Sequence, residues 1–260
     1  MQPLLSKLNL WKKHEERVCE VLAYALLLLQ RKPGLIQDED ELNRQLVFCL
    51  REANSYYHEH DRGVDTPFIY EARNQPSSTH QTKNLHEDKR PDFQSGFIDH
   101  TERDPQKKDK FFCIKCKRLG NPPSPKWILN ENYVNNGIVR FIEEMHRYGF
   151  EVESGAMVGY IESSDFDTIL SDVNTTLIAF QASLVNIQPS NGVWSSADTN
   201  LLEHSFERSF PVSPFVLKHF WIDLRGKLTP KPPKKRKSIK KGSKQKTRQT
   251  SQTDQDTLTG

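Results

Sequence analysis

Cysteine is scarce in this chain. Cys19, Cys49, Cys113 and Cys116 are the four in 260 residues, too few for a disulfide scaffold at this length, which points to a reducing compartment. Long apolar runs are missing as well. The run Ala23 to Leu29 is seven residues, against about 20 for a membrane span. It also lies within a helical pattern that starts well before it and contains Glu15, Glu16 and Glu20, so it does not read as a signal peptide. No membrane partner and a cytoplasmic location are expected. No internal repeat is present.

What the chain does have is enough apolar residues for a core and a marked division of charge. Hydrophobic residues make up 35%, and Leu, Val, Ile and Phe are spread through residues 1–225. Residues 227–260 hold eleven Lys or Arg against Asp254 and Asp256, which is +9, so the overall +3 leaves −6 for residues 1–226. The expected organisation is a folded domain over 1–226 and a disordered, Lys/Arg-rich tail over 227–260.

Helical spacing of Val18, Val21, Leu22, Ala25, Leu28 and Leu29 predicts a helix over 8–29, stopped by Pro33-Gly34. Asp38 reads as the N-cap of a second helix with Leu42, Leu46, Cys49, Leu50 and Ala53 on its inner face. Residues 67–73 read as a short strand and 74–90 as an exposed polar loop. Residues 91–99 and 110–119 read as two strands of a hairpin, ended by the Asn121-Pro-Pro-Ser-Pro segment. A third helix is expected over 132–148, a buried strand over 155–161, a fourth helix over 165–180, and late strands over 206–210 and 216–224. This order describes an α/β or α+β sheet flanked by helices.

Alternate residues of a strand share a face. On 111–117 one face carries Phe112, Ile114 and Cys116 and belongs in the core. The other carries Phe111, Cys113, Lys115 and Lys117. With Pro91-Asp92 opening the neighbouring strand, Asp92, Lys115 and Lys117 are expected to converge at one end of the sheet. Cys113 and Cys116 form a C-x-x-C without a second pair, and on a strand they point to opposite faces, so neither zinc nor redox use is expected. His58 and His60 read as loop residues.

Pro91-Asp92, followed 23 residues later by Lys115-Cys116-Lys117 within this order of elements, resembles the PD-(D/E)xK nuclease superfamily, the restriction-endonuclease-like fold. The resemblance covers about residues 9–162. It implies a mixed central sheet flanked by helices, Mg²⁺ held by Asp92 and a helical acid (Glu41, with Glu20 as runner-up), and Lys117 as the partner of water or phosphate. It also implies DNA, or RNA, as substrate, and a place in DNA processing or defence. One position departs from the pattern. Lys115 stands where the family has an acid, and an ammonium offers a metal no lone pair. One carboxylate beside two cations suits an anion better than Mg²⁺. Two readings follow: an active nuclease with Glu41, Asp99 or another acid displaced into the site, and a fold that keeps its shape without catalysis. A different class remains as the alternative, a non-catalytic interaction protein with a nucleic-acid-binding tail.

On the third helix, Tyr133 and Arg140 are candidates for gripping a phosphate backbone, weighed against a plain polar face with Arg140–Glu144 pairing. In the tail, Lys234, Lys235, Arg236, Lys237, Lys240 and Lys241 are candidates for salt-sensitive, sequence-independent nucleic-acid contacts. The block 232–241 also resembles a nuclear-import signal, which makes a nuclear location the alternative. Trp221 and Asp223 lie opposite the core face of the last strand and are weighed as a partner surface.

Overall fold

The computed structural model describes residues 3–76, 83–181, 186–189, 199–209 and 212–232. Helix α1 (Pro3–Arg31) runs into a two-residue strand β1 (Leu35–Ile36) and then α2 (Glu39–His58). Asp38 caps α2, accepting from the Glu41 amide at 3.3 Å. The five residues expected on its inner face are all buried.

A seven-stranded mixed sheet follows. Its strands are β2 (Phe68–Tyr70), β3 (Phe93–Ile98), β4 (Asp109–Leu119), β5 (Ser154–Ile161), β6 (Gln188–Pro189), β7 (Thr199–Phe206) and β8 (Phe215–Asp223), in the order β2-β3-β4-β5-β8-β7-β6. The neighbours β4, β5 and β8 are parallel and the other pairings antiparallel. Strand β5 is buried at every position, as a strand covered on both faces must be.

One face of the sheet lies under α1 and α2. Trp11 meets Phe97 edge-on, Tyr160 donates to Asn43 at 2.8 Å, and Lys218 pairs with Glu15. The other face lies under a broken helix, α3 (Leu129–Tyr133), a π turn (Val134–Ile138) and α4 (Val139–Ile142), and under α5 (Phe166–Phe180), whose N-cap is Asp165. Gly137 lets that helix approach closely: a Cβ there would lie 2.4 Å from Met157 Cε and 3.4 Å from Lys117 Cγ. No helix among the described residues is long and apolar enough to cross a membrane.

Several sequence-based expectations need correction. The third helix ends at Ile142 rather than at 148, because its continuation is held by side chains from elsewhere. Arg208 donates to the carbonyls of Tyr148, Gly149 and Val152, and Asn74 donates to that of His146 at 2.6 Å. The segment 74–90 is not simply exposed. It contains a 3₁₀ turn (Leu85–Asp88) with an Asn84–Glu87 capping box, and Asn74 and His86 are buried. The strand expected over 206–210 instead occupies 199–206, with Leu202, His204 and Phe206 buried. The domain boundary at 226 falls short. Leu228–Thr229 form a ninth strand, β9, parallel to β1, Lys227 donates to the Gln30 carbonyl, and Lys231 pairs with Asp38. The basic residues Lys234, Lys235, Arg236, Lys237, Lys240 and Lys241, and the disorder expected of them, lie outside the described residues.

Candidate functional site

Asp92 is the residue before β3, and its position follows from where the β3–β4 ladder stops. The last pair is Phe93 with Ile114. Past it, β4 has no backbone partner on that side among the described residues, and the amide of Cys116 would be left without an acceptor. Asp92 Oδ2 takes that amide at 2.6 Å. Its other oxygen, Oδ1, accepts from Lys115 Nζ at 2.6 Å. The side chains of Asp92 and Lys115 are each 10% exposed. One carboxylate thus closes the end of a ladder and neutralises a buried ammonium.

Lys117 lies two residues further along the same face and is also buried. Its ammonium pairs with Glu39, in the first turn of α2. A carboxylate is favoured there by the amides of the helix N-terminus. Burial pushes the Glu39 carboxyl up, against the pull of the Lys117 ammonium. Asp92 and Lys115 also act on Glu39 electrostatically, so two acids and two lysines form one cluster at the end of the sheet.

The helical acid at this cluster is therefore Glu39. Glu41, the metal ligand expected from the sequence, is displaced by about 200° around the helix at 100° per residue, and its amide is engaged by Asp38. Glu20 pairs with Arg62. Asp99 is held by Lys110 at 3.0 Å and by Thr101, which keeps its carboxyl down at about 2. It is not available as a displaced ligand. No group of three or more His, Cys, Asp or Glu side chains among the described residues is arranged to hold a metal ion. The donor set at Asp92 does not fit Mg²⁺: both oxygens already receive protein hydrogens, and an ammonium occupies the place of a cation.

Tyr133 is not a surface contact. It is fully buried, receives a hydrogen bond from Trp221 Nε1 at 3.0 Å and bonds His219 Nδ1 at 2.7 Å. His219 in turn bonds His204 at 2.9 Å. Trp221 is buried in this chain and offers no partner surface, while Asp223 binds Arg225. Arg140 remains partly exposed, with its guanidinium bonded to the Asn136 carbonyl at 2.8 Å. Glu144 pairs with Arg147, not with Arg140. Cys113 and Cys116 do face opposite ways and are both buried. Burial pushes the Cys113 thiol up to about 12.

Two groups at this end of the sheet were not identified from the sequence. Lys89 is brought in when the Asn74 amide donates to its carbonyl at 3.0 Å, while the side chain of Asn74 holds His146. His146 is held down at about 4, first by burial and then by the charges of Arg140, Lys89 and Lys115. Lys89 and Arg140 have no carboxylate partner among the described residues. Lys89 was hidden by sitting in what reads as a plain polar loop. Glu39 was hidden by its neighbours, since three consecutive acids follow the cap and no pattern singles one out.

No protein-family model matches the chain, and neither a curated protein nor a solved structure matches it.

Proposed function

We propose that this chain is a nuclease-fold protein of the PD-(D/E)xK kind that binds nucleic acid without cutting it. The observation that carries this reading is the Lys115 ammonium on Asp92. It puts a covalently attached cation where a nuclease of this kind would hold its metal. Three further features support it. An antiparallel β2–β3–β4 run is followed by a helical segment and then by β5 parallel to β4, the order the resemblance implies. Lys117 keeps its expected position beside an acid from the preceding helix. Lys89 and Arg140 supply cations on the same side without carboxylate partners among the described residues, the groups that contact phosphates in nucleic-acid complexes.

The test is binding and cleavage of labelled DNA and RNA oligonucleotides by the full chain, in EDTA and in Mg²⁺ or Mn²⁺. Binding that persists in EDTA, weakens with salt and shows no cleavage in either metal supports the reading. Metal-dependent cleavage that disappears in Asp92→Ala would overturn the non-catalytic part. Absence of binding to either nucleic acid at low salt would remove the nucleic-acid part and leave a protein-interaction role.

A further inference from the structure

The rungs of the β3–β4 ladder continue away from Asp92 and Lys115 into a cleft. Gln94 stands opposite Cys113, and Gly96 opposite Phe111. These residues share the face that bears Asp92 and Lys115. Gly96 has no side chain, and a Cβ there would already lie 3.4 Å from the Phe111 ring. Gln94, Phe111 and Cys113 line a cleft of about 320 Å³, walled on one side by Arg147, Phe150 and Glu151. That is the lower end of the range for small-ligand sites, about 300–1,000 Å³.

The chemistry of the lining is selective. Phe111 and Phe150 supply aromatic surface. Gln94 is 2% exposed, and its Oε1 has no hydrogen-bond partner among the described residues. Native structures rarely leave such an acceptor unmatched. Glu151 is half-buried at the wall and has no salt-bridge partner among the described residues. Aromatic surface together with two acceptors suits a planar ring that donates hydrogen bonds. The Gln94–Cys113 rung is two residues, about 7 Å, along the strand from Asp92. One nucleotide reaches that far from its phosphate to its base.

We propose that this cleft holds a single unstacked nucleobase bearing an exocyclic amine, adenine, cytosine or guanine, while the adjoining phosphate lies by Lys89 and Arg140. The proposal rests on the nucleic-acid reading above. Adenine, cytosine and guanine each carry an amino donor, whereas thymine has none and flanks its ring N–H with carbonyls. A carbonyl would face the acceptors of Gln94 and Glu151. Ring stacking on Phe111 or Phe150 would supply the sequence-tolerant part of the affinity.

The experiment is calorimetric titration of the full chain with deoxyadenosine, deoxycytidine, deoxyguanosine and thymidine, and separately with a short single-stranded oligonucleotide. At least one of the three amino-bearing deoxynucleosides should bind at least about tenfold more tightly than thymidine, a difference readily resolved. Phe150→Ala and Glu151→Gln, both at half-buried positions, should each weaken nucleoside binding by about tenfold. Arg140→Ala should weaken the oligonucleotide and leave the nucleosides unchanged. If the oligonucleotide binds and no nucleoside does, the cleft proposal fails and the nucleic-acid reading stands. If both wall variants bind nucleosides as the wild type does, the bases sit elsewhere and the proposal fails. If nucleosides bind with the stated preference and the oligonucleotide binds no more tightly than they do, the cleft stands and the nucleic-acid reading fails.

Discussion

The ammonium of Lys115 lies 2.6 Å from Oδ1 of Asp92, while the amide of Cys116 donates to Oδ2 at the same distance. Asp92 therefore does two jobs, and the two partners of the ion pair are not equivalent. Asp92→Ala strands a buried ammonium and leaves a strand amide without an acceptor. Lys115→Met leaves the Asp92–Cys116 bond in place and substitutes an apolar chain of similar length. Breaking a buried pair from either side costs about 3–5 kcal/mol, because the remaining charge is left buried and uncompensated. Urea denaturation should show Lys115→Met destabilised by about 3–5 kcal/mol and Asp92→Ala by about 1–3 kcal/mol more, for the Cys116 amide it strands. Equal losses would mean that the pair, not the amide, is what the fold depends on.

Lys115→Glu changes the site charge by two units and places three carboxylates, Glu39, Asp92 and the new one, around Lys117. The variant should bind Mn²⁺ or Mg²⁺ measurably by calorimetry where the wild type does not, and metal should raise its melting temperature by mass action. Any cleavage should be equal to or greater than that of the wild type. The reverse pattern, a wild type that cleaves with metal and a variant that does not, would make Lys115 a working group and sink the non-catalytic reading.

The C-terminal boundary can be located by truncation. Removing 227–260 deletes β9, the Lys227–Gln30 bond and the Lys231–Asp38 pair. At about 1 kcal/mol per hydrogen bond, the lost β9 pairing and Lys227–Gln30 bond alone should cost about 1–3 kcal/mol. Removing 233–260 leaves every one of these contacts in place and should cost almost nothing. It removes nine Lys or Arg and two Asp, 9 − 2 = +7, so oligonucleotide binding should weaken and its salt dependence flatten. An unchanged salt slope would show that the cationic segment is not used.

Acid should weaken the fold through its buried histidines. Burial is the first cause holding His14, His146 and His204 at about 4, whereas the unfolded chain titrates them near 6.5. Between those values the unfolded state binds more protons, so stability rises with pH and is lost as pH falls from about 6.5 through about 4. For the deeply buried His204 the full loss is on the order of 3 kcal/mol. Urea midpoints across that window should fall with acid. His14→Phe, which keeps the aromatic contacts to Trp11 and Phe97, should reduce the slope. Flat midpoints would mean that these rings are already charged in the folded protein.

The parts of this fold that could be read in advance are those whose signals are local. Asp38 declares a helix start, and the alternation through 111–117 declares a strand with its lysines on one side. The parts that escaped are set by distant partners. Tyr133 carries a hydroxyl and lies near Arg140 in sequence, so it passes for a surface residue. Its partner His219 is 86 residues away. Strand β7 contains His204, a polar residue in a core position, and this breaks the apolar alternation that would mark it. The third helix stops where Arg208 and Asn74 claim carbonyls of the chain beyond it. At the site, Asp92, Lys115 and Lys117 followed from spacing alone. Choosing among Glu39, Asp40 and Glu41 required the angle at which α2 approaches the sheet.

The short pairing of β9 with β1 fixes where the cationic end of the chain begins. Lys231 is held on Asp38, and the next residue, Glu39, holds Lys117. Lys231 is consequently anchored at the rim of the charged cluster, just ahead in sequence of the basic block 233–260. If the proposed nucleic-acid strand binds there, contact with those lysines would be an intramolecular step, at an effective concentration that a short link can raise to the millimolar range. The same sequence attached at the opposite end of the molecule would keep its charge and lose that proximity. Position, as much as composition, would then determine how long a bound strand stays.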